Sequence, residues 1–563
     1  MKIRVADYVA QFLVQIGVSD IFVLTGTYSM YLNDAIVSHP KLRYYCPRHE
    51  AAGLEMAGGY ARMKQGFGAI CVTAGPGATN AISGLAEAWL DAAPVIILSG
   101  QVPQAHTTYK IDIPGLRTFG TAEINIMPSV RSMTKYAVVV SDPKSIRYHL
   151  EKAVYLARSG HPGPVWLEIP LDVQSAMIDS KKIKGFRVPK VKKHKIPMEQ
   201  CIRLLKEAKR PLIVAGNGIR QGGAVELFRK LANILDIPIV TTRFGNDLLP
   251  YSHRTNMGMG GVKGTRFCRT IMQQADVVLT LGSRLAIPFI GYKEDFFNKK
   301  AKIISVDIEM AELKKPGARI ALPIHVDVKF FLDEFSKKIS NIPVWGTWLQ
   351  QCQALKLANP MIINEHKTDP IDLYYFMSRL DAMADKRHIF VSDSGSNYYV
   401  AGQVYRFEHG QREISSVTYG AMGLSIPLAI GVSVARKDMQ VLAVTGDGSL
   451  ELNIQDLKTI SYYGFNIKLF VINNGGYASM RNSQDTFFKG RRIGSDEKTG
   501  VAMLNLKKVA DAFDLRYERI ESVAEIDKKL KKIMSDDKPM FVEVVCTDSQ
   551  KIIAPMGAPK FYE

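Results

Sequence analysis

No stretch of this chain stays apolar for the roughly 18 to 20 residues that a bilayer-spanning helix needs. Cysteine is scarce, with six in 563 residues, and none forms a Cys-x-x-Cys pair. The first lack excludes a helical membrane protein, and the second excludes a disulfide scaffold and points to reduced, cytoplasmic thiols. Tandem repeats and low-complexity tracts are missing too, so no solenoid is expected. Acidic residues run short: 54 Asp and Glu stand against 73 Lys and Arg, a net charge of +19. The densest basic run, Lys181 to Lys195, carries isolated Gly and Pro and little periodicity. It reads as a solvated linker, because charge without a recognition helix or RNA-binding motif is only an electrostatic footprint. No nucleic-acid or membrane partner is expected, although a diffuse positive field suits an anionic small substrate.

What is present is an ordinary globular composition, 47% hydrophobic and 23% charged, in a chain too long for one core. Val5, Tyr8, Val9, Phe12, Leu13 and Ile16 recur at helical spacing, with Asp7 and Gln11 between them, so the opening segment predicts an amphipathic helix rather than a signal sequence. Short β-rich runs then alternate with helical patterns in three blocks, 1–178, 195–345 and 360–547. This alternation predicts an α/β protein of three doubly wound, parallel-sheet domains. In the middle block, Gly216-Asn217-Gly218-Ile219-Arg220-Gln221-Gly222 lacks the Gly-x-Gly-x-x-Gly spacing and is weak evidence for NAD.

The chemistry concentrates in the last block. The apolar run Val441–Val444 leads into Gly446-Asp447-Gly448-Ser449, and a second run, Leu469–Ile472, ends at Asn473-Asn474. A strand feeding a Gly-rich turn offers free backbone N–H groups to an anion, while Asp447 and Asn474 supply the hard oxygens that Mg²⁺ prefers. The intervening residues suit a helix over Asn453–Tyr463, which places both ligands at carboxyl ends of neighbouring parallel strands. With Gly476, this segment resembles the thiamine diphosphate (ThDP) signature. The resemblance implies Asp447, Asn474 and the Gly476 carbonyl as metal ligands, and Gly446, Gly448 and Ser449 as diphosphate contacts.

Other segments match the same family in register. Arg48-His49-Glu50 opens a helical pattern through Gly59-Tyr60-Ala61-Arg62, followed by Thr73-Ala74-Gly75-Pro76-Gly77-Ala78-Thr79-Asn80. The resemblance implies that Glu50 activates the cofactor by sharing a proton with its aminopyrimidine, whereas Glu55 reads as a solvated or structural helix residue. Gly420-Ala421-Met422-Gly423 is similar to the segment where an apolar side chain, here Met422, props the cofactor and a glycine carbonyl, here Gly420, accepts its amino group. Ser394-Gly395-Ser396-Asn397, after the run His388 to Val391, is similar in position to the family's additional diphosphate loop, which implies Gly395, Ser396 and Asn397 as further cofactor contacts.

The block order resembles the acetohydroxyacid-synthase and pyruvate-decarboxylase family over nearly the whole chain, and Ser99-Gly100-Gln101-Val102-Pro103 looks like its synthase branch. Gln101 is the candidate for orienting donor or intermediate, or equally a strand-end amide satisfying loop backbone. His106 is followed by Thr107 where decarboxylases of the family carry a His pair, which favours ligation over aldehyde release. Pro170-Leu171-Asp172-Val173, Arg284-Leu285-Ala286-Ile287-Pro288 and Tyr477 to Gln484 depart from the synthase pattern on the acceptor side. In this the chain resembles the sugar-modifying, yersiniose-type carboligases of O-antigen biosynthesis. That implies pyruvate as donor, a CDP-linked 3,6-dideoxy-4-keto-hexose as acceptor, ThDP and Mg²⁺ as cofactors and a non-redox FAD in the central domain. It also implies a homodimer or a dimer of dimers with each site shared between chains. Acetolactate synthesis and simple 2-oxoacid decarboxylation are the alternatives, and a basic binding protein without catalysis is opposed by the presence of Glu50, Asp447 and Asn474.

Overall fold

The computed structural model describes residues 2–190, 195–292, 297–416 and 418–558, so residues 191–194 of the basic run lie outside the described residues. Three six-stranded sheets, each parallel throughout, carry helices between their strands. The α/β expectation holds. A short antiparallel pair, Lys2–Arg4 with Met177–Asp179, ties the opening of the chain to the end of the first sheet's unit. From there Ile183 packs into the same core and the ring of Phe186 meets Tyr148 and Tyr155.

The first sheet runs Arg43–Tyr45, Asp20–Val23, Gly68–Val72, Val95–Gln101, Val165–Pro170, Tyr136–Val139. The third runs Arg412–Glu413, His388–Ser392, Gln440–Gly446, Ile467–Asn473, Met540–Val545, Arg516–Ile520. Numbered within its own unit, each has the order 2-1-3-4-6-5, so the outer units share one topology. The central sheet differs: Asn256–Met259, Ile239–Thr241, Pro211–Ala215, Val277–Leu281, Lys302–Asp307, Ile320–His325, or 3-2-1-4-5-6. That is the dinucleotide-binding order, with its switch point between Pro211–Ala215 and Val277–Leu281. Local glycine spacing did not reveal it, because strand order is set by long-range pairing.

The helix Glu50–Lys64 explains how the outer units meet. His49 caps it by accepting from the Ala51 N–H at 3.2 Å, and left-handed Gln65 ends it. Alanine and glycine fill it, nearly every residue is buried, and a helix apolar on all sides must pack on all sides. It lies against Ser425–Ala435, all of whose residues are buried. A Cβ on Gly431 would stand 2.0 Å from the Met56 carbonyl oxygen, and one on Gly59 would stand 2.9 Å from that of Leu428. Glycine at both positions is what allows this backbone contact.

Near the end of the first sheet, Glu168 is buried with its Oε1 unpartnered. Burial pushes its carboxyl up to about 8, Glu123 nearby adds to the rise, and Gln101 opposes it. All six cysteines are free thiols, and no helix among the described residues is long and apolar enough to cross a membrane. A carboxyl favoured in its neutral form by the fold stabilises most below its unfolded value of 4.5, and that stability is lost as pH rises toward about 8. Glu168→Gln should therefore flatten the fall in stability between those values, a slope of about 1.4 kcal/mol per pH unit for one such group. Urea unfolding at stepped pH measures this, and an unchanged slope in the variant would assign the pH dependence elsewhere.

Candidate active site

Asp447 follows the strand Gln440–Gly446 directly, and Asn474 follows the adjacent parallel strand Ile467–Asn473. The two residues meet. Asp447 is buried, its Oδ1 accepting from the Gly448 N–H at 2.8 Å and its Oδ2 from the N–H groups of Asn474 at 3.1 Å and Gly476 at 2.9 Å. Burial raises its carboxyl above the usual range, and the same N–H groups oppose the rise. Beside it, the Asn474 Oδ1 is buried without a hydrogen-bond partner. An orphaned hard oxygen next to a carboxylate is the donor set a divalent cation requires, and an orphan left unpaired is costly. The residues fit the metal.

The turn itself is shaped by glycine. A Cβ on Gly448 would stand 2.2 Å from the Tyr477 ring, and Gly476, at φ 115°, would drive one to 2.5 Å from the Ser495 carbonyl. Arg481 was not among the sequence candidates. Its buried guanidinium donates to the carbonyls of Asn474, Gly475, Ser495 and Asp548, fixing the loop that carries Asn474. Only the fold brings those four carbonyls to one side chain. Gly395, at φ 76°, starts the helix Ser396–Val404, where the Ser396 hydroxyl lies 3.2 Å from that of Ser479 and Asn397 is buried. The Gly395–Asn397 loop therefore adjoins the helix Ala478–Phe488 that follows the Asn474–Gly476 turn.

Gly420 has φ 63° and donates its N–H to the Ser416 hydroxyl, while Met422 is 40% exposed. An exposed methionine between buried segments is available for contact with a ligand rather than part of a core. The Ser449 hydroxyl accepts from the Gly423 N–H, so this segment is seated on the turn that carries Asp447. The predicted helix over Asn453–Tyr463 is shorter than expected: a 3-10 stretch, Glu451–Asp456, kinks at Asn453, and the α-helix begins at Leu457.

Glu50 lies in the other outer unit. Its Oε2 accepts from Asn80 at 3.0 Å, and its Oε1 faces Gly77, where a Cβ would approach to 3.4 Å. Among the described residues no hydrogen bond joins Glu50 to the Asp447 cluster of the same chain. Glu55 is structural rather than solvated, being buried beside Asn453. Gln101 is buried as well, its amide donating to the Ile124 carbonyl and accepting from the Val102 N–H, which is the backbone-satisfying role.

A cavity of about 770 Å³ opens at the switch point of the central sheet, lined by Gly218, Gly282, Arg243 and Asp307. All three units contribute, since Asp91 and His161 of the first and Tyr398 and Thr418 of the third also line it. A Cβ on Gly216 would stand 2.2 Å from the Gly282 carbonyl, so the two strand ends close tightly on one another there. The buried Arg243 Nε has no partner, and burial pushes Asp307 up to about 6.

Comparison with known proteins bears on both sites. Residues 3–127 match the thiamine pyrophosphate enzyme N-terminal TPP binding domain, 198–335 its central domain and 393–544 its C-terminal TPP binding domain. Along its length the chain is 30% identical to an acetolactate synthase of Mycobacterium bovis, covering 98% of this chain and 89% of that protein. It is 30% identical to acetolactate synthase 1 of Zea mays, covering 97% and 86%, and 29% identical to the acetolactate synthase large subunit of Lactococcus lactis, covering 98% and 94%. The chain belongs to the thiamine pyrophosphate enzyme family. Within that family it is acetolactate synthase-like, a ThDP-dependent enzyme of the carboligase class.

For this ThDP enzyme the Asp447 cluster makes a direct prediction. Asp447→Ala removes the anionic member of the candidate ligand set and should lower Mg²⁺-dependent ThDP affinity by at least about 10- to 100-fold, the loss that even an outer-shell partner of a metal site typically causes. ThDP titrations at several Mg²⁺ concentrations check it, and equal affinity in both proteins would mean that Asp447 holds no metal.

Proposed function

We propose that the chain decarboxylates pyruvate and joins the remaining two-carbon unit to a keto acceptor, C4 of a CDP-linked 3,6-dideoxy-4-keto-hexose. The observation that carries the cofactor half is the unpartnered Asn474 Oδ1 beside Asp447, at the ends of adjacent strands. Asp447, Asn474 and the Gly476 backbone would hold Mg²⁺, with Gly446, Gly448, Ser449 and the Gly395–Asn397 loop around the diphosphate. When bound, ThDP supplies a thiazolium carbon that adds to the keto carbon of pyruvate and accepts the charge left by CO₂. Glu50 holds a proton at the aminopyrimidine, with its second oxygen occupied by Asn80. Met422 presents apolar surface to the cofactor, and Gly420 offers its carbonyl. The overall balance is pyruvate plus keto-sugar giving CO₂ and a sugar enlarged by one acetaldehyde equivalent.

The acceptor reading rests on the departures from the synthase pattern. One of these, Arg284-Leu285-Ala286-Ile287-Pro288, lies on the wall of the central cavity, where Arg284 donates to Glu312 at 2.9 Å. That cavity suits FAD in a non-redox role, since the proposed reaction has no net oxidation. Gly218 and Gly282 would admit the diphosphate at the switch point, Asp307 would accept from a ribose, and Arg243 would meet an acceptor-rich ring. The active unit is a homodimer or dimer of dimers in the cytoplasm, as the family resemblance implies, with Glu50 of one chain and Asp447 of another serving one cofactor. The second reading, acetolactate synthesis, is favoured by the names of the relatives.

Mass analysis of products from pyruvate with a panel of nucleotide-linked keto-sugars decides between them. The expected result is one sugar product heavier by an acetaldehyde equivalent, with little free acetaldehyde. Acetolactate alone in the presence of every sugar would establish the second reading instead, and acetaldehyde as the main product would make the protein a decarboxylase.

A further inference from the structure

Gly423 follows Met422 directly, and both of its polar backbone groups are taken by buried side chains. Its N–H donates to Asp393 Oδ2 at 3.1 Å and to the Ser449 hydroxyl at 2.9 Å. Its carbonyl accepts from Asn453 Nδ2 at 3.0 Å. At φ 82°, Gly423 sits in the left-handed region, and a Cβ there would stand 2.7 Å from that of Leu452. The backbone is thus fixed on three sides while the adjacent Met422 side chain is partly exposed. Asn453 reaches Gly423 because it breaks the helix: its φ of −137° and ψ of 28° lie outside helical space. At the kink the Asn453 amide donates its shortest bond to the Gly423 carbonyl, while its Oδ1 accepts from Gln455 at 3.3 Å.

The same amide lies 3.4 Å from Glu55 Oε2, on the helix that Glu50 opens. Burial raises the Glu55 carboxyl well above the usual range, and Glu87, Asp456 and Asp393 add to the rise while Asn453 opposes it. A neutral acid at this place accepts from the amide without bringing an unpaired charge into the core. Asp393 is itself buried and accepts from the Thr445 hydroxyl at 2.8 Å. The network therefore runs from the strand before the metal turn, through Gly423, to the helix of the opposite unit.

We propose that Asn453 is a positioning residue that, by holding the Gly423 carbonyl, fixes Met422 in the place from which it contacts the cofactor. This rests on the reading of Met422 as the cofactor's apolar support. The Asn453 side chain bonds to Gly423, Glu55 and Gln455 and to none of the proposed metal or diphosphate residues, so its loss should separate cofactor affinity from cofactor activation.

The full-length chain is compared as wild type, Asn453→Ala, Met422→Ala and the double variant. In the protein without cofactor, backbone amide exchange followed by mass spectrometry should rise across residues 418–425 in Asn453→Ala and remain at the wild-type level in Met422→Ala. With Mg²⁺ present, both single variants should bind ThDP close to wild-type affinity while deuterium exchange at the thiazolium C2 falls about tenfold or more, the scale of loss for a misplaced group. The double variant should lose no more than the worse single one, because residues acting through one contact are not additive. Wild-type amide exchange in Asn453→Ala, or losses that multiply in the double variant, would overturn the proposal. A Met422→Ala protein with wild-type C2 exchange would instead remove the underlying role of Met422, and a wild type that binds no ThDP would remove the site reading altogether.

Discussion

The architecture depends on two helices approaching backbone to backbone. Gly59 against Leu428 and Gly431 against Met56 leave no space for a Cβ between Glu50–Lys64 and Ser425–Ala435. This contact sets where the first unit stands relative to the third, and both helices bear on the site. One begins with Glu50, and the other begins two residues after Gly423, the anchor of the Met422 segment. Larger side chains at either glycine would separate the helices and displace both groups together, since packed interiors transmit small volume changes as shifts.

Around that contact the chain buries more acid than its core can hold in charged form. Glu55, Glu87 and Glu168 are all pushed upward by burial, and Glu87 reaches about 8 with Asp91 beside it. Arg62 stands 3.7 Å from Glu87 and 3.9 Å from Asp91 while donating to the Ser415 carbonyl and stacking on Phe244. One guanidinium thereby touches all three units. Arg243 does the same between the central and third units, paired with Glu413 and over the Tyr398 ring. These cationic joints surround the central cavity, so a ligand there would contact the same surfaces that hold the thiamine domains in place.

Much of this was legible from local pattern. Strands that end in Gly-Asp-Gly and Asn-Asn, and a helix opened by His-Glu, are short-range signals, and the structure places Asp447 and Asn474 together as their spacing implied. Arg481 was not legible, because its four carbonyl partners come from three separate stretches of chain. The late start of the helix, at Leu457 rather than Asn453, was not legible either, because the partners that hold Asn453 out of the helix, Gly423 and Glu55, are distant in sequence. Glu55 could be read as either solvated or structural, because sequence alone does not show a helix that is buried on every side. The dinucleotide-type order of the central sheet, likewise, is a property of pairing across distant strands.

In the proposed assembly one ThDP is served by Glu50 of one chain and the Asp447 cluster of another. This sharing is tested most directly by co-expressing Glu50→Gln and Asp447→Ala chains with different affinity tags, isolating the mixed dimer, and measuring ThDP-dependent pyruvate turnover against each mutant homodimer. Sharing across a closed twofold gives the mixed dimer one site with both groups intact, so its turnover should approach half that of the wild type purified in the same way. Mixed dimers as inactive as both parents, beside an active wild type, would contradict the account.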